Sequence, residues 1–297
     1  MSTEAAVRPT VGDGFVDPGR SGRGMKILWR VLAYAVVTLG AVIMVVPFLW
    51  MASTAFKSGG SAFDYPPTWI PRPFTLENFK EVWTAVDFSR YFFNSLFIAV
   101  CVTAGEVLTS ALAAYAFARL RFPGRDAMFL LYLATLMIPG QVTIIPNFIL
   151  MRYLGWINTY EGLIIPTAFT AFGTFLLRQY FLSIPRELEE AARVDGAGYF
   201  EIWWRIIMPL ATPAIATLGV FSFMGAWNSF LWPFIMVSTA EMRTLTVALR
   251  SLQTEYGTEW GMMMAGSLIA MLPMLVIFLA AQRYFVRGIA TSGFGGR

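Results

Sequence analysis

Long stretches without a charged side chain are the feature that most constrains this chain. Residues 31–56 and 260–282 carry no charge, and the stretch 91–118 carries only Glu106. A helix needs about 20 predominantly apolar residues to cross the hydrocarbon core of a bilayer. Six stretches reach or approach this length. The sequence therefore predicts an all-α integral membrane protein with six transmembrane helices, at residues 31–56, 91–118, 127–151, 162–177, 206–240 and 260–282.

Composition excludes most enzyme chemistry. The chain is 57% hydrophobic and 13% charged, whereas soluble domains are about 45–50% apolar and about 25% charged. It has no histidine and one cysteine, Cys101, which excludes Ser-His-Asp and Cys-His catalysis, an internal disulfide and multi-cysteine metal sites. A phosphate-binding loop needs Gly-Lys-Ser/Thr, but Lys26, Lys57 and Lys80 each follow Met or Phe. No catalytic residue, metal site or bound cofactor is predicted.

The distribution of basic residues sets the predicted orientation. About two-thirds of the 22 Lys and Arg residues lie in segments on the same side as the two termini. The positive-inside rule places that side, and both termini, in the cytoplasm. This topology accounts for the net charge of +4 without a nucleic-acid partner. We expect a disordered cytoplasmic tail at residues 1–24, a transmembrane domain at 25–290 and a cytoplasmic tail at 291–297.

Two outward-facing loops carry local patterns. Apolar residues recur at helical spacing between Leu76 and Val86, which predicts a short amphipathic helix at the membrane interface. The loop from about Ser238 to Glu259 is polar, and two interpretations stay open for it. It is a solvated connector, or it contacts an external partner.

The connector between the fourth and fifth helices, residues 183–209, is not a generic loop. Ser183 and Pro185 predict the start of a helix, and Asp195-Gly196 predicts its end, because Gly adopts the positive φ of a sharp turn. A second helix then leads to Pro209. We expect a helix–turn–helix beneath the membrane, with one apolar stripe on each helix, formed by Leu188, Ala191 and Ala192 and by Tyr199, Phe200, Trp203, Trp204 and Ile207.

This connector resembles the EAA loop of ABC importer permeases. Glu190-Ala191-Ala192 is followed after three residues by Gly196, and after nine more by Ile206, one residue and Met208-Pro209. Met208 stands where the family has leucine, a swap that keeps volume and apolarity. Further segments are similar to the carbohydrate-uptake subgroup, within it to the six-helix maltose-type permeases: Tyr91–Leu96, Ala113–Arg119, Phe122–Gly124, Asn158–Tyr160 and Ala226–Asn228.

The resemblance implies partners and a location. Such importers pair two permease subunits with two ATPase subunits, which bind ATP and Mg, and with an extracytoplasmic solute-binding protein at the bacterial plasma (inner) membrane. It implies that Glu190, Ala191, Ala192 and Gly196 contact an ATPase subunit, and that Ile206 and Pro209 anchor the loop to the fifth helix. The alternative for this segment is a plain amphipathic connector at the membrane interface.

Three polar or aromatic residues within the spans are candidates for the solute path, and Glu106 is a separate intramembrane polar residue. Trp227 and Asn228 lie midway in the fifth charge-free stretch, and Gln141 lies between two prolines of the third. Their alternative role is helix packing, and in maltose-type importers the partner permease supplies the sugar site. Glu106 has three possible roles: a proton or ion site, a solute contact, or a hydrogen bond in packing or gating. The last is favoured because no second carboxylate lies within the spans.

These patterns predict a permease subunit of an ATP-driven importer for a sugar or sugar-like solute. A stand-alone secondary transporter or channel is the alternative, although such proteins usually show internal repeats and several intramembrane ionisable groups. An integral-membrane enzyme is disfavoured by the missing histidines.

Overall fold

The computed structural model describes residues 21–58, 65–254 and 257–292. Within these residues the regular structure is helical, apart from the antiparallel pair β1 (Gln253–Thr254) and β2 (Gly257–Thr258). The α-helices are α1 (Ser21–Ala55), α2 (Glu77–Ala85), α3 (Phe88–Arg119), α4 (Arg125–Ala134), α5 (Gly140–Tyr153), α6 (Tyr160–Ile164), α7 (Ala171–Ser183), α8 (Glu187–Val194), α9 (Tyr199–Ile202), α10 (Met208–Leu210), α11 (Thr212–Trp227), α12 (Leu231–Met236), α13 (Leu245–Ser251) and α14 (Trp260–Ser292). Short 3₁₀ turns cover Thr135–Met137, Ile165–Thr167 and Ala240–Met242, and a π-helix covers Trp203–Ile207.

Three single helices are long and apolar enough to cross a membrane, judged by length and composition. They are the segments Met25–Ala55, Phe88–Arg119 and Trp260–Gln282, with mean hydropathies of 2.4, 1.9 and 2.3 in their most apolar windows. Three further candidates are bent pairs, with angles of 98° for Arg125–Met137 and Gly140–Tyr153, 44° for Tyr160–Thr167 and Ala171–Ser183, and 80° for Tyr199–Leu210 and Thr212–Trp227. The sequence predicted one span at each of these three places, and the structure divides each into two helical segments that meet at a bend.

Proline accounts for two of the bends. Pro139 immediately precedes α5, and a proline ring disfavours helical continuation of the residue before it. At the other bend, Pro213 lacks the N–H that would donate to the carbonyl of Pro209. The hydroxyl of Thr212 donates to that carbonyl instead, at 2.7 Å. The polypeptide therefore changes direction without leaving this acceptor unpaired.

The core is built around α3, which packs against α7 and α11. Small residues line this contact on α3, among them Ala111, Ala114 and Ala118, all buried. Gly173 on α7 approaches so closely that an added Cβ would lie 2.5 Å from Oγ of Ser110. Small residues allow helix backbones to approach closely in membrane proteins, so the sequence of α3 explains its central position.

The α1 helix forms a unit of its own up to Met51. None of its most apolar 18-residue window is buried within the chain. It begins at Ser21, so residues 21–24 are helical although the predicted disordered tail includes them, and residues 1–20 lie outside the described part. At the other terminus α14 continues to Ser292, and residues 293–297 lie outside the described part of the chain.

The segments predicted as outward loops are partly folded. The amphipathic helix near residues 76–86 is confirmed as α2. Its buried Asn78 donates through Nδ2 to the carbonyls of Ala55 and Lys57, at 2.9 and 2.6 Å. The loop 238–259 contains α13, whose Leu245 and Ala248 are each 1% exposed. A plain solvated connector is therefore the wrong description of this loop, because its apolar residues complete the core.

Candidate functional site

The connector forms the predicted helix–turn–helix. Helix α8 ends at Val194 with Asp195 as its C-cap residue, and Gly196 has a φ of +87°. The amide of Ala197 donates to the carbonyl of Ala192 at 2.9 Å, which closes the turn as helix C-terminal motifs do. The predicted cap is wrong, because Ser183 is the last residue of α7 and its hydroxyl donates to the carbonyl of Tyr180.

The buried face of α8 differs from the predicted apolar stripe. Leu188 is 44% exposed and Ala191 is exposed, whereas Glu189 is only 5% exposed. The reason is an ion pair: Nε of Arg119, the last residue of α3, lies 2.8 Å from Oε1 of Glu189. The two side chains are 2% and 7% exposed.

Arg119 also binds the end of α7. Its Nη2 donates to the carbonyls of Phe181 and Ile184. One guanidinium therefore joins the ends of α3 and α7 to the connector, and we call Arg119, Glu189 and these two carbonyls the arginine junction. The ion-pair contact and the two hydrogen bonds offset part of the cost of burying these charges, which is several kcal/mol per ion. The sequence places Arg119 in a family segment and Glu189 beside the motif, but it does not identify them as partners.

The second half of the connector also departs from the predicted pattern. Trp203 and Ile207 are buried as expected, but Phe200 and Trp204 are 69% and 57% exposed. A π-helix contains about one residue more per turn than an α-helix, so the π segment shifts which side chains face the core. Ile202 becomes part of the buried face in their place.

The motif residues themselves are mostly accessible. Glu190, Ala191, Gly196 and Pro209 are exposed, and Ala192 and Ile206 are partly buried. Beside them lies a cavity of about 260 Å³ that is rich in arginine, lined by Arg119, Leu120, Arg121, Arg186, Glu189, Glu190, Arg193 and Tyr199. The connector thus presents small residues and a free carboxylate around a sharp turn, on a base fixed by the arginine junction.

A second site lies midway along α3. The hydroxyl of Ser222 on α11 donates to Oε2 of Glu106. Both residues face a cavity of about 300 Å³, which we call the Glu106 cavity. It is lined by Ser95, Ile98, Val102, Glu106, Leu163, Thr167, Phe172, Leu218, Phe221, Ser222, Gly225, Ala226, Ser229, Trp232, Pro233 and Thr244.

The three predicted solute-path residues do not line this cavity and are not brought together. Trp227 is 4% exposed, and its indole N–H donates to the carbonyl of Ala270 at 3.0 Å. Asn228 lies at the C-terminal end of α11 rather than midway in a span, because the helix stops there. Asn228 and Gln141 are both exposed on this chain.

A third constellation lies at the opposite end of α3 from Arg119. Asn94 is 1% exposed, and its Nδ2 donates to the carbonyls of Glu241 and Arg243, both at 2.9 Å. Its Oδ1 accepts from the hydroxyl of Tyr160 at 2.7 Å. We call these groups the asparagine junction. The sequence carried a signal here, since Asn94 and Tyr160 lie in two of the family-like segments.

Asn158, in the turn between α5 and α6, contacts the start of the same loop, which begins at about Ser238. Its Oδ1 accepts from the amide of Ser238 at 2.7 Å and from that of Thr239 at 3.2 Å. The backbone of Asn158 has a φ of +58°, a conformation that asparagine adopts more readily than most residues. The residue is therefore suited to both the turn and the contact.

Comparison with known proteins agrees with this architecture. Residues 106–291 match the family model for the binding-protein-dependent transport system inner membrane component. The chain is 35% identical to the sn-glycerol-3-phosphate transport system permease protein UgpE of Yersinia enterocolitica, over 91% of this chain and 98% of that protein. It is 34% identical to the arabinooligosaccharides transport system permease protein AraQ of Halalkalibacterium halodurans, over 86% and 93%.

A solved structure has the same fold. A chain of a bacterial ABC transporter involved in the import of the acidic polysaccharide alginate superposes with a TM-score of 0.79 at 26% identity, over 90% of this chain and 98% of that one. The resemblance to importer permeases is thereby confirmed. The chain belongs to the family of inner membrane components of binding-protein-dependent transport systems.

Proposed function

We propose that this chain is a permease subunit of an ATP-driven importer that carries a sugar or sugar-like solute into the cell. The observation that carries the proposal is the exposed pair Glu190 and Ala191, with the partly buried Ala192 and the exposed Gly196 turn beside them, held on the buried Arg119–Glu189 pair. A surface of small residues beside a carboxylate suits close contact with another protein, and we assign that contact to an ATPase subunit. ATP and Mg belong to that subunit in this proposal.

The proposed topology has six spans with both termini in the cytoplasm. Each bent helix pair counts as one span, and the excess of Lys and Arg on the side of the termini sets the direction. In this arrangement the connector faces the ATPase subunits. The opposite end, with α2 and α13, faces the solute-binding protein.

A second permease subunit completes the proposed pore. Exposed Gln141 and Asn228 remain candidates for the solute path at that interface, because neither is buried within this chain. Trp227 is better suited to packing, since its N–H is paired and its ring stacks on Phe223 at 5.8 Å between centroids. Ile206 and Pro209 join the connector to α11.

Helix α3 supplies a route for the mechanical signal. It carries Arg119 at the connector, Glu106 at the cavity and Asn94 at the opposite end. When the ATPase subunits close, movement of α8 is passed to α3 and α7 through Arg119. A packed helix with a paired charge at its end transmits displacement better than a solvated loop, because close-packed interiors have low compressibility and transmit strain.

The experiment uses the complete importer in proteoliposomes. Glu190→Lys and Gly196→Trp are compared with Glu187→Lys, an exposed charge change in the same helix outside the motif. We expect the first two variants to lose at least tenfold in solute uptake per ATP hydrolysed, while the control keeps the parent ratio. Equal coupling in all three proteins would reject the assignment of the ATPase contact.

The alternative of a stand-alone transporter is tested in the same system. The purified chain alone in liposomes, with an ion gradient and without ATP, should give no uptake. Solute uptake under these conditions would favour a secondary transporter or channel instead.

A further inference from the structure

The Glu106 cavity has features that the coupling function does not require. It is bounded by residues from α3, α11 and α12, by the 3₁₀ turn Ile165–Thr167, and by Thr244 next to α13. Its volume of about 300 Å³ lies at the lower limit of small-molecule sites, which occupy about 300–1,000 Å³. The inference below rests on the proposed import function and concerns which solute this chain accepts.

Hydrogen-bond accounting indicates that Glu106 supplies most of the free acceptor positions of the cavity. The hydroxyls of Ser222 and Thr170 both interact with Glu106, so about half of the roughly four acceptor positions of its carboxylate remain open. The hydroxyl of Thr167 already donates to the carbonyl of Ile164 at 3.0 Å.

The hydroxyl of Thr244 is committed in the same way. Thr246 donates to the carbonyl of Ser229 at 2.7 Å, so the 3.2 Å contact between the two threonine hydroxyls uses the proton of Thr244. The protons of the Ser222, Thr167 and Thr244 hydroxyls are therefore already bound, whereas lone pairs on Glu106 are free. The hydroxyl of Ser95 accepts from the amide of Leu245 at 2.7 Å, so its proton is available to a ligand. A ligand with several hydroxyls, each able to donate and to accept, fits this pattern.

The charge of the lining residues also favours a neutral ligand. Among the described residues that line the cavity, Glu106 is the only ionisable one, and none is Lys or Arg. An anionic ligand would be desolvated there without a cationic partner, next to a carboxylate, which is strongly unfavourable. A phosphate ester or a uronic acid is thus a poor ligand for this cavity.

Aromatic rings supply the apolar part of the site. Phe172 and Phe221 meet edge to face with centroids 6.4 Å apart. The indole N–H of Trp232 donates to the carbonyl of Gly162 at 3.1 Å, which fixes that ring. Fixed aromatic faces beside oxygen acceptors suit the C–H faces and hydroxyls of a sugar ring.

We propose that the Glu106 cavity is a solute-binding subsite for a neutral, polyhydroxylated solute of about one sugar unit, with Glu106 accepting from its hydroxyls. This would separate the chain from relatives whose names refer to sn-glycerol 3-phosphate or from a structure that concerns acidic alginate. Among the named relatives, arabinooligosaccharides are the neutral class.

The test measures occupancy directly in the assembled importer. Ser229→Cys in a Cys101→Ala background places one thiol in the cavity of this chain. The native cysteines of the partner subunits are replaced as well, so that only this thiol reacts. The rate at which maleimide labels the thiol is then measured. Arabinotriose, maltose and glycerol are the neutral probes, and sn-glycerol 3-phosphate and an alginate trisaccharide are the anionic ones. We expect at least one neutral probe to slow labelling threefold or more, and neither anion to do so. Thr143→Cys, outside the cavity, is the control and should label at a constant rate.

Variants of Glu106 provide the second measurement. Glu106→Ala in the thiol-labelled protein should weaken protection by the neutral probe about tenfold, as expected for loss of a charge-assisted hydrogen bond, and Glu106→Gln should weaken it less. Thr103→Val is the matched control, because Thr103 donates only to Ala99 of its own helix and does not line the cavity. Protection by an anion, no protection by any neutral probe, or no change in Glu106→Ala would overturn the proposal. ATP hydrolysis stimulated by the binding protein, measured in the same complex, reports separately on the import function.

Discussion

The two ends of α3 fix their neighbouring loops by different chemistry. At the connector end, Arg119 and Glu189 form a buried ion pair that also satisfies two backbone carbonyls. At the α13 end, Asn94 uses a neutral amide for two carbonyls of the loop and accepts from Tyr160. Both junctions have the same geometry, in which one side chain from α3 holds a distant segment through its backbone.

The difference lies in what remains when a partner is removed. Breaking a buried ion pair leaves an uncompensated charge and destabilises by about 3–5 kcal/mol. Breaking an amide contact leaves unpaired neutral groups, each of which costs about 1–3 kcal/mol. The connector end therefore tolerates little change, which suits the proposed transmission of movement through this segment, whereas the α13 end can be released at lower cost.

The largest effect is expected for Arg119→Ala. This change leaves Glu189 buried without its partner, at a cost of about 3–5 kcal/mol, and also leaves the carbonyls of Phe181 and Ile184 without their donor. The purified importer should therefore lose more than the charge alone costs, measured as unfolding in detergent. Glu189→Ala should cost a similar amount. The exposed pair of Arg205 and Glu201 is the control, and Arg205→Ala should change stability by about 0–1 kcal/mol.

The double variant Arg119→Met with Glu189→Leu sharpens this prediction. It removes both charges, so the loss should be smaller than for either single variant. It should not vanish, because the carbonyls of Phe181 and Ile184 lose their donor. Additive losses in the double variant would contradict the ion pair.

An intermediate effect is expected for Asn94→Leu. The side chain has a similar volume, but the carbonyls of Glu241 and Arg243 lose their donor, at a cost of about 1–3 kcal/mol for each carbonyl that stays buried and unpaired. Hydrogen exchange of residues 238–245 should rise, while exchange in α8 stays as in the parent. Asn228→Leu at an exposed site is the control. If exchange in α8 rose equally, the two junctions would form one cooperative unit rather than two.

The sequence predicted the helical membrane fold and the position of the connector turn. Charge-free length identifies the spans because a bilayer imposes a fixed minimum length, and Gly196 identifies the turn because its backbone needs a positive φ. Both signals are local. The burial of Glu189 was not predictable, since Glu187, Glu189 and Glu190 are alike in sequence and only the position of Arg119 distinguishes them.

The same limit applies inside the spans. Glu106 stood out as a lone carboxylate, but its cavity is assembled from residues far apart in the chain, such as Phe172 and Trp232. Trp227 had the chemistry of a sugar contact, and its burial against Ala270 depends on the placement of α14. Which polar residue faces a cavity and which is packed is decided by tertiary contacts.

The smallest effect is expected for Tyr160→Phe. It removes one hydroxyl that donates to Oδ1 of Asn94 and leaves the ring in place, so stability should fall by about 1 kcal/mol. In a double-mutant cycle with Asn94→Leu the losses should not add, because both changes break the same bond. The coupling energy should be about 1 kcal/mol, well below that of the Arg119–Glu189 cycle, since the energy of a neutral pair does not include the cost of a stranded charge. A coupling energy as large as that between Arg119 and Glu189 would mean that the loop 238–245 is held as tightly as the connector. The α13 end would then not be released at lower cost than the connector end.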